Sequence, residues 1–275
     1  MYFCRVQFLT QLFRFYLNAS IHVALAVYAF LRISELYLEL PESKNLNYFV
    51  FFATITGYNF VKYFGIAKFH HRSLATNLKI IQVFSFVCFL ALCYLAIQLP
   101  LNMLLLLAPL GLLTLLYAIP FLSGFQKSLR SISYLKIVIV AIVWAGTTVL
   151  LPVLLNDGFL GLEVYLYAFQ RFLIVAVLIL PFDIRDLQYD AISLQTIPQK
   201  IGVKKTKKLG FILLVFAACI EFFISSDQQV RMIFFSFLLA LLFLLMRAQK
   251  KQSSYYSAFF VEALPIAWYL LLLFL

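Results

Sequence analysis

Three aspartates stand within eight residues in the stretch LPFDIRDLQYD, at Asp183, Asp186 and Asp190. Each residue of a helix advances about 100°, so Asp186 falls about −60° and Asp190 about −20° from Asp183. All three carboxylates then share one narrow face, with Arg185 on the opposite side. Like charges so placed repel by about a few tenths of a kcal/mol per pair when exposed, and by more when buried. A hard divalent cation would relieve that repulsion, and Mg²⁺ is commonly shared between one or two carboxylates and the phosphates of a substrate. The same acids could instead be solvated at a membrane surface and balanced by Arg185 and the neighbouring lysines. Spacing alone leaves both readings open.

Three further polar residues stand inside or at the edge of apolar runs: His22, Arg171 and Glu262. An ionisable group in such a place needs water or a partner and is a functional candidate by default. Arg171 and Glu262 lie near the ends of their runs and could reach an interface. His22 reads as a polar residue facing a helix bundle. The four cysteines (Cys4, Cys88, Cys93, Cys219) have no metal-ligand spacing, and no disulfide is implied.

The elements that must position these residues are hydrophobic helices. The chain has 275 residues, 64% hydrophobic and 12% charged, with a mean hydropathy of +0.98. A soluble domain has about a quarter of its residues charged, so lipid must solvate most of this surface. A spanning helix needs about 20 mostly apolar residues. Nine segments qualify: 16–33, 48–67, 80–97, 101–122, 134–155, 162–182, 209–225, 230–246 and 258–275. Nothing alternates as a membrane β-barrel strand would. The expectation is one all-α domain over 1–275, a bundle of about nine transmembrane helices.

Charge sets the orientation. Of 22 Lys and Arg, 18 fall on one side of these spans, the side that also carries the N-terminus and the Asp183–Lys208 segment. The positive-inside rule makes that side cytoplasmic and puts Leu275 outside. The plasma membrane of a bacterium is the expected location. The net charge of +11 is accounted for by these loops, and nucleic acid is not an expected partner. The N-terminal MYFCRVQFLTQLFRF has no small-residue cleavage site after it and reads as a retained helix.

The Asp183–Asp190 segment resembles the second aspartate-rich motif, DxxDxxxD, of the UbiA superfamily of intramembrane prenyltransferases. The downstream Thr196-Ile197-Pro198 and Gly202 are similar to the T-x-P…G stretch that often follows it. YAIPFLSGFQKSLRSISYLK, which includes Lys136, resembles the family's basic loop between the fourth and fifth spans. The span count is also similar to the family's. The resemblance implies transfer of a prenyl group from a polyprenyl diphosphate, at the cytoplasmic face, to an aromatic or other lipophilic acceptor. It implies Mg²⁺ held by Asp183, Asp186 and Asp190, and diphosphate contacts from Asn59, Lys62, Tyr63 and Lys136.

The sequence departs from the family at the first motif, NxxxDxxxD. Asn59 is in place, but the expected aspartates are Tyr63 and Ala67, and no acid occurs between Lys44 and Asn156. Basic residues stand there instead: Lys62, Lys68, His70, His71 and Arg72. Lys62 lies about 60° from Asn59 on a helix, and a lysine can hold phosphate as a point charge without metal. Ordinary positive-inside residues would look the same. The other reading is a degenerate, non-catalytic member that binds an isoprenoid or a protein partner.

Overall fold

The computed structural model describes residues 2–63, 72–118, 134–156, 158–187 and 196–275. Every regular element among them is helical: α1 (Tyr2–Asn18), α2 (Ile21–Tyr37), α3 (Lys44–Tyr63), α4 (Arg72–Gln98), α5 (Leu101–Ala118), α6 (Leu135–Ala145), α7 (Leu151–Leu155), α8 (Leu162–Asp186), α9 (Ile197–Ile224), α10 (Gln228–Arg247) and α11 (Glu262–Leu272). A π-helical turn over Gly146–Leu150 joins α6 to α7, and another over Tyr256–Val261 leads into α11.

The described parts of all nine apolar segments expected from the sequence lie mainly on helices, but their lengths and compositions differ. Four helical stretches are long and apolar enough to cross a membrane: Leu78–Gln98, Leu135–Leu155, Leu162–Asp186 and Gln228–Arg247. A fifth arises if Leu9–Asn18 and Ile21–Tyr37, bent by 57°, count as one broken span. The expected span 16–33 straddles that bend, because Ser20 adopts a left-handed conformation at φ 61°. α3 and α9 are not among these stretches; the N-terminal part of α9 carries Lys200, Lys204, Lys205, Lys207 and Lys208.

Burial sorts the helices into centre and rim. In its spanning window α8 is 67% buried and α4 only 11%. α8 packs on α6, α9 and α10, while α2 packs between α3 and α11. The core is built from Phe30, Ile174, Val177, Leu180, Phe234 and Trp268, each fully buried or nearly so. The rim is as apolar as the core: Ile97, Phe223 and Phe274 are 84%, 76% and 87% exposed. A water-soluble monomer rarely presents such a continuous apolar surface. The chain is an integral membrane protein.

The loops gather at two ends. Lys136 meets Asp183, so the start of α6 and the end of α8 are neighbours. His22 meets Phe259, and Lys62 and Tyr63 meet Asn18, which brings the start of α2, the end of α3 and the approach to α11 to that same end. At the opposite end the buried Glu35 accepts hydrogen bonds from Ser43 N (2.9 Å) and Asn47 Nδ2 (3.2 Å) and pairs with Arg32. That cluster fastens the α2–α3 connection.

Candidate functional site

A cavity of about 800 Å³ runs between α2, α3, α5, α6, α8 and α11. Aliphatic and aromatic side chains form nearly all of its wall. Small polar interruptions come from Thr54, Thr114 and Thr147, and Trp144 Nε1 donates to Tyr58 Oη at 3.2 Å on the same wall. Three charged residues border it: Lys136 at the first turn of α6, Asp186 at the last turn of α8, and Glu262 at the first turn of α11. All three belong to the aspartate end. The cavity is therefore an apolar slot with its charged residues gathered at one end, its mouth.

The aspartates divide between two tasks. Asp183 is 1% exposed, and Lys136 Nζ donates to its Oδ1 at 2.6 Å. Burying a carboxylate is costly unless a cation and hydrogen bonds accompany it, and α6 delivers that cation from its first turn. Asp186 is partly exposed and borders the cavity. Its Oδ1 accepts from Arg185 Nε at 2.7 Å. The helical wheel puts Arg185 on the opposite face, yet the long side chain swings round over the Phe182 ring, 5.4 Å from its centroid, to reach the next residue. Asp190 lies outside the described residues, as do Ala67, Lys68, His70, His71, Lys127 and Arg130.

Asn59, Lys62 and Tyr63 make their hydrogen bonds mainly to the junction of α1 and α2. Asn59 is 3% exposed. Its Nδ2 donates to Ala19 O (3.0 Å) and Ser85 Oγ (2.8 Å), and its Oδ1 accepts from Ser20 Oγ (2.8 Å). Lys62 Nζ and Tyr63 Oη both donate to Asn18 O, at 3.2 and 2.9 Å. The last carbonyls of a helix have no partner within it, and two at this end, Asn18 O and Ala19 O, are satisfied by these three residues of α3. The first-motif positions thus fasten the 57° bend between α1 and α2. Lys62 nonetheless remains within the electrostatic field of Glu262 and Arg185.

The fit to Mg²⁺ follows from the donor set. No group of three or more His, Cys, Asp or Glu side chains that could hold a metal occurs among the described residues. Asp183 is paired with Lys136, and the first-motif acids are replaced. Asp186 alone of the two described aspartates reaches the cavity. One carboxylate fits a Mg²⁺ ion that completes its coordination with substrate phosphates and water; it does not make a cage of its own.

Other polar residues gain meaning only in three dimensions. His22 Nε2 faces Phe259 O at 2.9 Å and must donate to it, so the Nδ1 of the neutral ring accepts from Tyr16 Oη at 2.6 Å. Arg171 is fully buried. It lies 4.1 Å from the Phe30 centroid, donates to Phe30 O, Ser34 Oγ and Tyr167 Oη, and makes no ion pair among the described residues. Glu221, also buried, accepts from Gln170 Nε2 (2.8 Å) and Tyr37 Oη (3.2 Å). An acid or a base inside an apolar run is the signal for Arg171 and Glu262, and Glu221, within the expected span 209–225, carries the same signal.

No family model and no curated protein matches this sequence. Solved structures do resemble it. A UbiA homologue from Archaeoglobus fulgidus bound to GPP and Mg²⁺ superposes with a TM-score of 0.62 over 95% of this chain and 100% of that one, at 12% identity. The form bound to DMAPP and Mg²⁺ gives 0.59 over 92% and 98%, at 10% identity. The form bound to Cd²⁺ gives 0.56 over 92% and 97%, also at 10% identity. At such identities the likeness is one of fold, and it spans nearly the whole of both chains: this protein has the UbiA-like membrane fold.

Proposed function

We propose that the 275 residues act as one helical unit that binds a prenyl diphosphate, with the chain in the apolar cavity and the head at the mouth, and transfers the prenyl group to a lipophilic acceptor. The observation that supports this reading is the cavity of about 800 Å³ whose otherwise apolar wall carries Lys136, Asp186 and Glu262. The neighbours of the same fold were solved with GPP or DMAPP together with Mg²⁺. Lys136 offers an ammonium to a phosphate oxygen while keeping Asp183 company. Lys62 and Arg185 add positive field at the same end. Asp186 would hold Mg²⁺ against the phosphates, and that ion would supply neutralisation of the charge on the leaving diphosphate. The apolar wall excludes water from the reacting carbon. The aspartate end is cytoplasmic in this reading, in the plasma membrane of a bacterium.

A second reading is a prenyl-lipid binder without turnover. It is favoured by the first-motif positions, which hold α1 rather than a second metal. The test is binding of geranyl diphosphate and of geraniol to purified protein, with and without Mg²⁺, followed by release of diphosphate. The proposal expects geranyl diphosphate to bind at least about tenfold more tightly than geraniol, in a Mg²⁺-dependent manner that Asp186→Asn removes. Equal binding of the two would sink it. Mg²⁺-dependent preference without diphosphate release would leave the binder.

A further inference from the structure

We infer that Glu262 makes the cavity a receptor for positive charge at the head of an apolar chain, a role distinct from holding metal. Within the proposed function, on which this rests, that charge is the one developing on the first carbon of the prenyl group.

The case begins with what Glu262 lacks. It borders the cavity on α11, across from α6 and α8. Among the described residues it makes no ion pair and no hydrogen bond through its carboxylate. The acids of the other sites are all provided for: Asp183 by Lys136, Asp186 by Arg185, Glu35 by Arg32, Glu221 by Gln170 and Tyr37. A carboxylate facing an apolar, water-poor cavity is unfavourable unless something there compensates it. Lys62 and Arg185 act on it only at a distance and neither forms an ion pair with it, which leaves the place beside its carboxylate to the positive charge of a ligand or of its reacting atoms.

The second observation is the effort of the fold to place it. The π-helical turn over Tyr256–Val261 ends at Glu262, whose N–H reaches both Ser257 O and Phe259 O. π-turns re-aim the residues that follow them. Phe259 O also accepts from His22 Nε2, and the Phe259 ring stacks on the imidazole with centroids 5.0 Å apart. The break between α1 and α2, where His22 sits, thus fixes the turn from which Glu262 enters the cavity. The third observation is the wall itself. Tyr58, Trp144 and Phe182 line the same space, and aromatic faces attract cations. A carboxylate and aromatic rings around an apolar slot form a surface for positive charge.

In the transfer step, the bond from the first prenyl carbon to the diphosphate oxygen breaks, and its electron pair leaves with the diphosphate. The carbon becomes positive and faces Glu262. An electron pair of the acceptor then forms the new bond to that carbon, and the proton the acceptor loses passes to the Glu262 carboxylate.

The experiment needs no acceptor. The probes are N,N-dimethylgeranylamine, protonated at neutral pH, and geraniol, its uncharged counterpart, titrated into purified full-length protein. A charge paired at low dielectric is worth well over a factor of ten, so wild type should prefer the ammonium by at least about tenfold. Glu262→Gln should bring the two affinities within about twofold, and Glu262→Asp should retain most of the preference. Equal affinities in the wild type, or a preference that survives Glu262→Gln, would overturn the inference. So would loss of the preference on adding Mg²⁺, which would assign the carboxylate to the metal. If Glu262→Gln does not fold, the wild-type comparison and Glu262→Asp still decide. Failure of geranyl diphosphate to outbind geraniol would sink the transfer reading alone and leave the ammonium result standing.

Discussion

Lys136 Nζ lies 2.6 Å from Asp183 Oδ1, joining the first turn of α6 to the last turns of α8. The carboxylate is nearly sealed from the surroundings, while the lysine side chain keeps 25% of its surface. The pair therefore presents one ammonium edge to the cavity mouth and hides the charge that balances it.

Removing one partner of that pair leaves the other buried and unpaired. Lys136→Met should destabilise the protein by about 3–5 kcal/mol, and Asp183→Asn by a similar amount. The double variant should recover a large part of the loss. Thermal unfolding in detergent of the four proteins in the cycle measures this. Additive losses would mean that the pair carries no coupling.

Asn59→Ala removes two hydrogen bonds from the bend between α1 and α2 and one to Ser85 of α4, and leaves Ala19 O without its partner. The expected loss is about 1–3 kcal/mol in stability, with faster proteolysis of α1. Affinity for geranyl diphosphate should fall by less than about threefold. A fall beyond tenfold with unchanged stability would restore Asn59 as a substrate ligand.

Arg171 is held by aromatic faces and three oxygens, with no carboxylate paired to it among the described residues. Its planar, weakly hydrated guanidinium suits that cage, and the compact, strongly hydrated ammonium of lysine does not. Arg171→Lys should therefore lower the unfolding temperature more than Arg171→Met, which removes the buried charge altogether. The opposite ranking would mean that positive charge itself is required there.

Orientation is open to direct chemistry. In a background lacking Cys4, Cys88, Cys93 and Cys219, Lys127→Cys and Lys205→Cys should react with an impermeant maleimide only from the cytoplasm, and Asn156→Cys only from outside. Reaction at position 156 from the cytoplasm would reverse the topology.

The sequence by itself determined the solvent, the class of fold and one half of the candidate site. Apolar runs of about 20 residues can be satisfied in lipid only as helices, and the described part of each expected segment lies mainly on one. Asp183 and Asp186 were legible because a helical period needs only local sequence to place them on one face. Span lengths were less legible, since Ser20 breaks the first apolar run by a left-handed turn that hydropathy does not register. What only the tertiary structure decided was partnership. Asn59 and Lys62 carry the right chemistry for a phosphate, but whether they meet one depends on where α1 ends, and its orphan carbonyls lie within their reach. Lys136 is an implied diphosphate contact in the sequence, and only the packing of α6 on α8 sets it against Asp183, 47 positions away. Glu262 looked like a charge near a helix end, and a π-turn fastened by His22, 237 residues from Phe259, put it on the cavity wall. Long-range pairing of buried charge depends on which helices touch, and no periodicity within a single segment encodes that.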